Sequence, residues 1–499
     1  MAKIRLHLPD LGKQHLLQLK IDKSFKTISK VTKRTVEISR AFGLGVDEER
    51  VFHVFKDFVI EINPGDVVYI TGESGAGKSV LLKELAKELS KHKEFGGVIT
   101  DQEIAAKINP NEILIHGVGR DVKEALEILN AVGLNDAFLF LRRYKELSDG
   151  QKYRYRLAKA FWSGKKTLIF DEFCATLDRI TARVVAYLAQ KFCRRRGLTL
   201  IVATTHEDLI EDLNPDILII KRFGAYADIK LFNPQPKPCS ILKKVKIVEG
   251  DMNDYKQLSY FHYRGVNVPG VRKIFKAVVD TPLGEELAGV IVYSVSYIDL
   301  AARNIAIPKI PELIKKLDRK SFIKIINDNF VRISRLIVHP KYRGIGLGVR
   351  LVKETLPRCE YPFVEVLAVM ARYNPVFEKA GMKRIEYESK FYDKIVPAFL
   401  QELEALGFDL NLINSKKYCL ETLKKLSKRD QKRIAELKKE YRELKRKEFE
   451  SSAVGSLVKA GKKVVVGIAK STAKQGLSLI HISEPTRPLY ISYAVFCLK

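Results

Sequence analysis

The chain has 499 residues, 46% of them hydrophobic, with 88 lysines and arginines against 59 aspartates and glutamates, a formal charge of +29 at pH 7. Its length fits domains of ordinary size with substantial cores, and the excess of positive charge is the footprint of a polyanionic partner. The absence of any run of about 18 apolar residues excludes a membrane-spanning helix in this sequence, no apolar leader follows the N-terminus, and six cysteines without a C-x-x-C pair point to a reducing cytoplasm and away from a zinc site.

In chain order, Lys3 to about Phe58 reads as an antiparallel strand region. The apolar strand Val67 to Ile70 follows, then Gly72-Glu73-Ser74-Gly75-Ala76-Gly77-Lys78-Ser79, then the helical pattern Val80 to Leu89. Strand, glycine-rich loop and helix in that order make a phosphate-binding loop. Its backbone N–H groups point at a triphosphate, Lys78 reaches the outer phosphates, and the Ser79 hydroxyl is placed to hold Mg²⁺. Further on, Leu147-Ser148-Asp149-Gly150-Gln151 precedes Thr167-Leu168-Ile169-Phe170-Asp171-Glu172. The latter is an apolar strand ending in two acids, of which Asp171 orders the metal and Glu172 activates a water. Cys174, beside them, reads as a small packing residue.

These segments resemble the Walker A, signature and Walker B motifs of the ABC ATPases. Ala175-Thr176-Leu177-Asp178 is similar to their D-loop, and His206, after the strand Leu198 to Ala203, to their switch histidine. The resemblance covers Phe42 to His206. It implies ATP and Mg²⁺ as ligands, Glu172, His206 and Lys78 as catalytic residues, and Ser79 and Asp171 at the metal. It also implies an ATP-dependent head-to-tail homodimer, in which Ser148, Gly150 and Gln151 of one chain meet the γ-phosphate on the other. Three parts fit less well. The adenine-stacking aromatic is assigned to Phe42 with Phe52 as competitor, and either serves equally as a core residue. Gln102 and His116 are both candidates for the glutamine loop. Asp149 stands where glycine is usual.

After Asn233-Pro234-Gln235-Pro236-Lys237-Pro238, which reads as a linker, a second chemistry begins. The strand Arg335 to Val338 runs into His339-Pro340 and then Lys341-Tyr342-Arg343-Gly344-Ile345-Gly346-Leu347-Gly348, which opens a helix over Val349 to Thr355. A glycine-rich turn at a helix N-terminus is again a pyrophosphate cradle. This segment resembles the acetyl-CoA motif of the GNAT acetyltransferases, as Ala371 to Met382 resembles the motif in which an asparagine, here Asn374, contacts the pantetheine arm. The resemblance covers about Lys246 to Tyr392. It implies acetyl-CoA bound by Arg343, Gly344, Gly346 and Gly348, with backbone amides of Leu336, Ile337 and Val338 offered to the thioester. Phe377 occupies the position where many of these enzymes carry a tyrosine general acid. Tyr373 is the substitute, and Glu285, Glu286 and Asp299 are open candidates for the base.

The fold class is therefore α/β: an ABC-type P-loop NTPase domain (1–232), a Pro-rich linker (233–245), a GNAT mixed α/β domain (246–395) with an insertion over Ala302 to Phe322, and a basic helical extension (396–476). In the extension, Leu423 to Glu448 reads as one long helix with a stripe of Leu426, Ile434, Leu437, Tyr441 and Leu444. Residues 477–499 match the conceptual translation of a sequencing adapter and are excluded from the fold. The resulting expectation is a cytoplasmic ATP-hydrolysing protein coupled to acetyl transfer, with RNA or DNA as possible partner, the bases Arg142, Arg143, Lys152, Arg154 and Arg156 adding to the basic helix. The alternative is an ABC switch whose GNAT domain only binds acetyl-CoA or a partner. Less favoured is the ATPase subunit of a membrane transporter.

Overall fold

A computed structural model describes residues 17–27, 30–43, 45, 50–262, 267–282, 284–298, 300–368, 374–385, 396–412, 415–451 and 478–482. Contacts divide the chain into two units: Met1–Val245 with Val279–Gly284 and His339–Leu347, and Lys246–Val278 with Glu285–Val338 and Gly348–Lys499.

In the first unit, β1 (Leu17–Thr27) and β2 (Arg50–Ile62) form an antiparallel ribbon. A six-stranded sheet follows, with β3 (Val67–Gly72), β4 (Val98–Thr100), β5 (Thr167–Phe170), β6 (Thr199–Ala203), β7 (Ile217–Lys221) and β8 (Ala227–Leu231) in the order β4-β5-β6-β3-β7-β8. All its pairs are parallel except β7 with β8. The continuous apolar runs of these strands arise because the sheet is covered on both faces. Val67, Tyr69, Phe170 and Val202 face one core, shared with the helices Asp149–Trp162 and Arg179–Arg196. Val68, Ile70, Ile169 and Ile201 face the other, shared with the helix Lys78–Leu89 and the ribbon. The antiparallel reading of the N-terminal region holds for β1 and β2 but not for the stretch between them, which contains the helix Lys33–Phe42; residues 1–16 lie outside the described set.

The second unit is built on β9 (Val245–Glu249), β10 (Val271–Thr281), β11 (Gly284–Val295), β12 (Phe330–Val338), β13 (Phe363–Leu367), β14 (Lys383–Ile385) and β15 (Ser478–Ile482), in the order β14-β15-β13-β12-β11-β10-β9. The insertion between β11 and β12 is helical and runs on to Asn329, as Ala301–Ala306, Lys309–Lys316 and Arg319–Asn329. It closes a core of its own around Ile310, Ile314, Phe322 and Ile326.

Ser478–Ile482, among the residues set aside from the fold, pairs in parallel with β13 and β14; pairing draws on backbone groups that any β-prone apolar segment possesses. At the end of the Pro-rich segment the buried Asp212 carboxylate accepts from the Ser240 amide at 2.7 Å and from the Ser240 hydroxyl at 2.5 Å. One expectation is corrected. The long basic helix is two helices, Lys416–Lys425 and Lys428–Ser451, since the Ser427 hydroxyl accepts from the Asp430 amide at 3.1 Å and so caps a new start. Ile434 and Leu437 of the expected stripe are buried; the side chains of Tyr441 and Leu444 lie outside the described set.

The insertion is fastened to the sheet by a fully buried ion pair. Arg303 Nη2 and Nε meet Glu365 Oε1 and Oε2 at 2.6 and 3.0 Å, and the remaining donors reach Ser296 Oγ and the Tyr297 and Ile298 carbonyls. Burial raises the Glu365 carboxyl above its ordinary pKa, and the arginine opposes that shift. Glu365→Ala strands the guanidinium and is expected to destabilise the second unit by about 3–5 kcal/mol, whereas the double replacement Arg303→Met, Glu365→Leu should recover most of the loss. Denaturant midpoints of the two variants measure this.

Candidate functional site

The carboxyl ends of β3, β5 and β6 meet at one edge of the first sheet, where open α/β sheets bind ligands. Gly72, Gly75 and Gly77 have φ of +135°, +77° and +104°. This left-handed backbone turns successive N–H groups inward and is strained for any side chain. At Gly77 a Cβ would also stand 2.4 Å from Val54 Cγ1. Ala76 is buried, Glu73, Ser74 and Gly75 are exposed, and Lys78 Nζ donates to the Gly72 and Glu73 carbonyls at 2.8 and 2.7 Å, across the hollow of the loop. Burial lowers the Lys78 pKa and Asp171 opposes that shift. The Ser79 hydroxyl, at the start of the helix, and the Asp171 carboxylate are both hard oxygen donors, a set that fits Mg²⁺.

The segment after β5 is held in an uncommon conformation. Glu172 and Cys174 have φ of +48° and +58°, sparsely populated for residues other than glycine. The Phe173 amide between them donates to Ala203 O at 2.8 Å, and the Cys174 amide to the Tyr153 hydroxyl at 3.0 Å. With the two residues that follow it so anchored, Glu172 is left exposed and its amide donates to Asp171 Oδ1 at 3.0 Å. Burial pushes the Cys174 thiol up to about 12, in keeping with a packing role. His206, past β6, is positioned through its backbone: its amide donates to Thr204 Oγ1 and its carbonyl accepts from the Tyr69 hydroxyl.

Ser148 is the N-cap of the helix Asp149–Trp162, in a reciprocal capping box with Gln151 (3.4 and 3.1 Å). That helix packs on the opposite face of the sheet from the helix Lys78–Leu89, so the fold separates the signature helix from the phosphate-loop helix. Gly150 is close-packed, since a Cβ there would lie 3.0 Å from Leu177 Cδ2. Asp149 is exposed and reaches Lys152 at 3.6 Å. Arg154 and Arg156, counted among bases for a polyanion, are already committed: Arg154 to the Gly133 and Gly150 carbonyls, Arg156 to Asp101 at 2.8 Å. Arg142 and Arg143 are exposed.

Burial does not separate the two adenine candidates, as Phe42 and Phe52 are 72% and 65% exposed and neither is a core residue. Phe52 lies two residues before Val54 on β2, hence on the strand face that brings Val54 against Gly77, and it pairs across the ribbon with Phe25. Phe42 lies at the end of the helix Lys33–Phe42. Strand position also favours Gln102 for the glutamine loop, since β4 ends at Thr100 beside Ile169 of the strand that leads to Asp171. His116 sits in the short turn Leu114–His116 away from the strand ends.

In the second chemistry, β12 carries a bulge at Ser334, and its ladder with β13 ends at Ile333 and Val366, short of Leu336, Ile337 and Val338. Gly344 and Gly346 have φ of +84° and +99°, and a Cβ at Gly346 would meet nothing within 4 Å, which leaves room before the helix Leu347–Thr355. Gly348 lies against Val338 and Val376. The Arg343 side chain turns elsewhere in the first unit, with Nη1 donating to the Asn135 carbonyl at 2.6 Å. Asn374 is exposed and precedes the helix Val376–Lys379, where Phe377 is buried. Tyr373 and Asp299 lie outside the described residues, and Glu285 is exposed at the start of β11.

The family model for the ABC transporter matches residues 55–175, and that for the acetyltransferase (GNAT) domain matches residues 316–399. The chain carries an ABC-type ATPase domain and a GNAT domain. Its ABC domain is similar to the methionine import ATP-binding protein MetN of Streptococcus agalactiae serotype Ia, 28% identical over 209 residues that cover 35% of this chain and 58% of that protein. It is also similar to MetN of Streptococcus pyogenes serotype M12, 30% identical over 202 residues covering 33% and 56%. The chain thus spans little more than half the length of these relatives. Among solved structures, a dimeric ATP-binding cassette in a post-hydrolysis state with ADP and phosphate aligns at 18% identity and TM-score 0.33, over 44% of this chain and 100% of that one. A part of an ABC transporter complex from Clostridium perfringens aligns at 22% and 0.28, over 35% and 81%.

If Phe52 stacks on adenine in the ABC domain, Phe52→Ala should weaken ATP binding by roughly tenfold, about 1–3 kcal/mol per stacked base, while Phe42→Ala stays within twofold. Titration with a fluorescent ATP analogue separates the two.

Proposed function

We propose that the chain is a cytoplasmic ATP-driven switch coupled to acetyl transfer. The first unit binds and slowly hydrolyses MgATP as a head-to-tail homodimer, and the second transfers acetyl from acetyl-CoA to RNA or to a nucleic-acid-associated protein. The observation that carries the ATP reading is the shared edge at which Lys78, Asp171 and Glu172 stand, with Glu172 held exposed by anchored neighbours. Glu172 would take a proton from the attacking water, Lys78 would exchange its loop carbonyls for phosphate oxygens, and His206 would orient the outer phosphate. Mg²⁺, held by Ser79 and Asp171, would supply charge neutralisation. Placement of the signature and phosphate-loop helices on opposite sheet faces supports completion of the site by a second copy.

The acetyl-CoA reading rests on the left-handed turn at Gly344 and Gly346 feeding a helix. Support for a polyanionic acceptor comes from the exposed Lys424, Lys425, Lys428, Arg429, Lys432 and Lys439 on the extension, since the committed Arg154 and Arg156 no longer count toward it. A second reading, acetyl-CoA sensing without transfer, is favoured by one observation: Phe377, at the general-acid position of the resembled enzymes, is a buried core residue without a proton to give. The transporter reading has the relatives' names in its favour; among the described residues no helix is long and apolar enough to cross a membrane.

Glu172→Gln should remove hydrolysis, leave the phosphate contacts whole and trap an ATP-bound dimer. Size-exclusion chromatography with light scattering at saturating MgATP reads this, and a variant that stays monomeric contradicts the sandwich. Gly346→Glu should abolish acetyl-CoA binding by placing a carboxylate at the pyrophosphate position. Calorimetry of the variant beside the unaltered chain checks it, and an unaltered chain that fails to bind acetyl-CoA ends the acetyl-transfer reading.

A further inference from the structure

Beneath the phosphate loop lies a second lysine that neither the motifs nor the mechanism uses. Lys221 is the last residue of β7, and its register partner is Gly72, the first glycine of the loop. The two backbones approach so closely that a Cβ on Gly72 would stand 1.9 Å from the Lys221 carbonyl oxygen. The side chain runs back under the loop: its Cε is 3.8 Å from where a Cβ of Gly77 would be, which brings the ammonium stem to the residue immediately before Lys78. The residue is fully buried, 0% exposed. Its Nζ donates to the Arg222 and Gly224 carbonyls at 2.6 and 2.7 Å and stands 4.9 Å from the centre of the Phe55 ring.

These partners satisfy the donors of the ammonium but supply no negative charge. Among the described residues no carboxylate lies within ion-pair distance of Lys221, and burial lowers its pKa with no opposing carboxylate. A lysine buried without a counter-ion is costly to the nucleotide-free protein, and an unbranched apolar side chain of similar length would fill the same space more cheaply. The charge that would offset it belongs to whatever occupies the adjoining hollow, which is built for a polyphosphate. Because Lys221 itself is shut from water, its attraction for a charge in the hollow is screened less than one between two surface groups.

We propose that Lys221 is a charge-supplying residue for nucleotide binding, acting on the polyphosphate through the phosphate loop from behind, without touching the ligand. The consequence is a dependence of its contribution on ligand charge, greater for ATP than for ADP. In the nucleotide-free state Lys221 pins the Arg222–Gly224 turn, and it gains its counter-ion when nucleotide binds. This inference rests on the reading of Gly72 to Ser79 as the ATP site.

The test uses the full chain and two variants, Lys221→Met, which keeps length and removes charge, and Lys221→Gln, which keeps a donor for the turn and also removes charge. Calorimetric titration with MgATP and MgADP at about 50 and 500 mM salt gives the affinities. Both variants are expected to bind MgATP about tenfold more weakly than the unaltered chain and MgADP less severely weakened, with the ratio between variant and parent unchanged by salt. A merely structural lysine gives a different pattern: a lower melting temperature without nucleotide, and MgATP affinity within twofold of the parent when measured below the melt. That pattern in either folded variant overturns the proposal, as does an equal loss for ATP and ADP. Failure of the underlying site reading is distinguishable, because the unaltered chain would then bind neither nucleotide.

Discussion

Five parallel strands, β3 to β7, lie between two apolar cores, and a strand buried on both faces can present polar side chains only where it ends. The alternation of Val67 and Tyr69 to one core with Val68 and Ile70 to the other leaves no interior position for a charged group. The phosphate loop, Asp171 with Glu172, and His206 therefore fall at strand ends, on a common edge. The same burial makes the edge stiff: the Phe173 amide is tied to β6 and the Cys174 amide to Tyr153, and the left-handed backbone of Glu172 is maintained by those two bonds rather than by its own preference.

Charge is distributed in the same economy. Buried or half-buried cations in the first unit are mostly matched by a neighbour, as Arg156 is by Asp101 and Arg179 and Arg183 by Asp208. Close to the phosphate loop, Lys78 and Lys221 are both bonded to backbone carbonyls. Asp171 acts on Lys78, whereas no carboxylate does so on Lys221, a buried cation whose electrostatic complement is an anion. In the second unit the contrast is the Arg303–Glu365 pair, complete in itself and shut from solvent, which fastens the helical insertion and has no ligand to wait for.

Local patterns were legible in the sequence wherever chemistry requires a residue type at fixed spacing. The strand, left-handed glycine turn and helix around Gly72 to Ser79 and the strand end before Asp171-Glu172 are of this kind, because the resembled chemistry tolerates few alternatives there. What depends on tertiary neighbours was not. Phe42 and Phe52 are equivalent aromatics in sequence, and only the contact of Val54 with Gly77 separates them. Arg154 and Arg156 read as free bases until the fold supplies the Gly133 carbonyl and Asp101. The lysines on either side of Ser427 form one unbroken charge pattern, whereas the serine cap that divides the two helices is a local backbone event that charge does not register. Lys221 carried a signal, a lone charge closing the apolar run Ile217 to Ile220, but its meaning depends on the register with Gly72.

The central claim is that one chain joins a nucleotide switch to an acetyl-transfer site, and the most direct measurement is incorporation of labelled acetyl from acetyl-CoA into total cellular RNA or protein, with and without MgATP. The account predicts incorporation that requires the purified chain and rises with MgATP. Incorporation indifferent to MgATP would contradict the coupling, and none into either fraction, from a chain that binds both ligands, would contradict transfer itself.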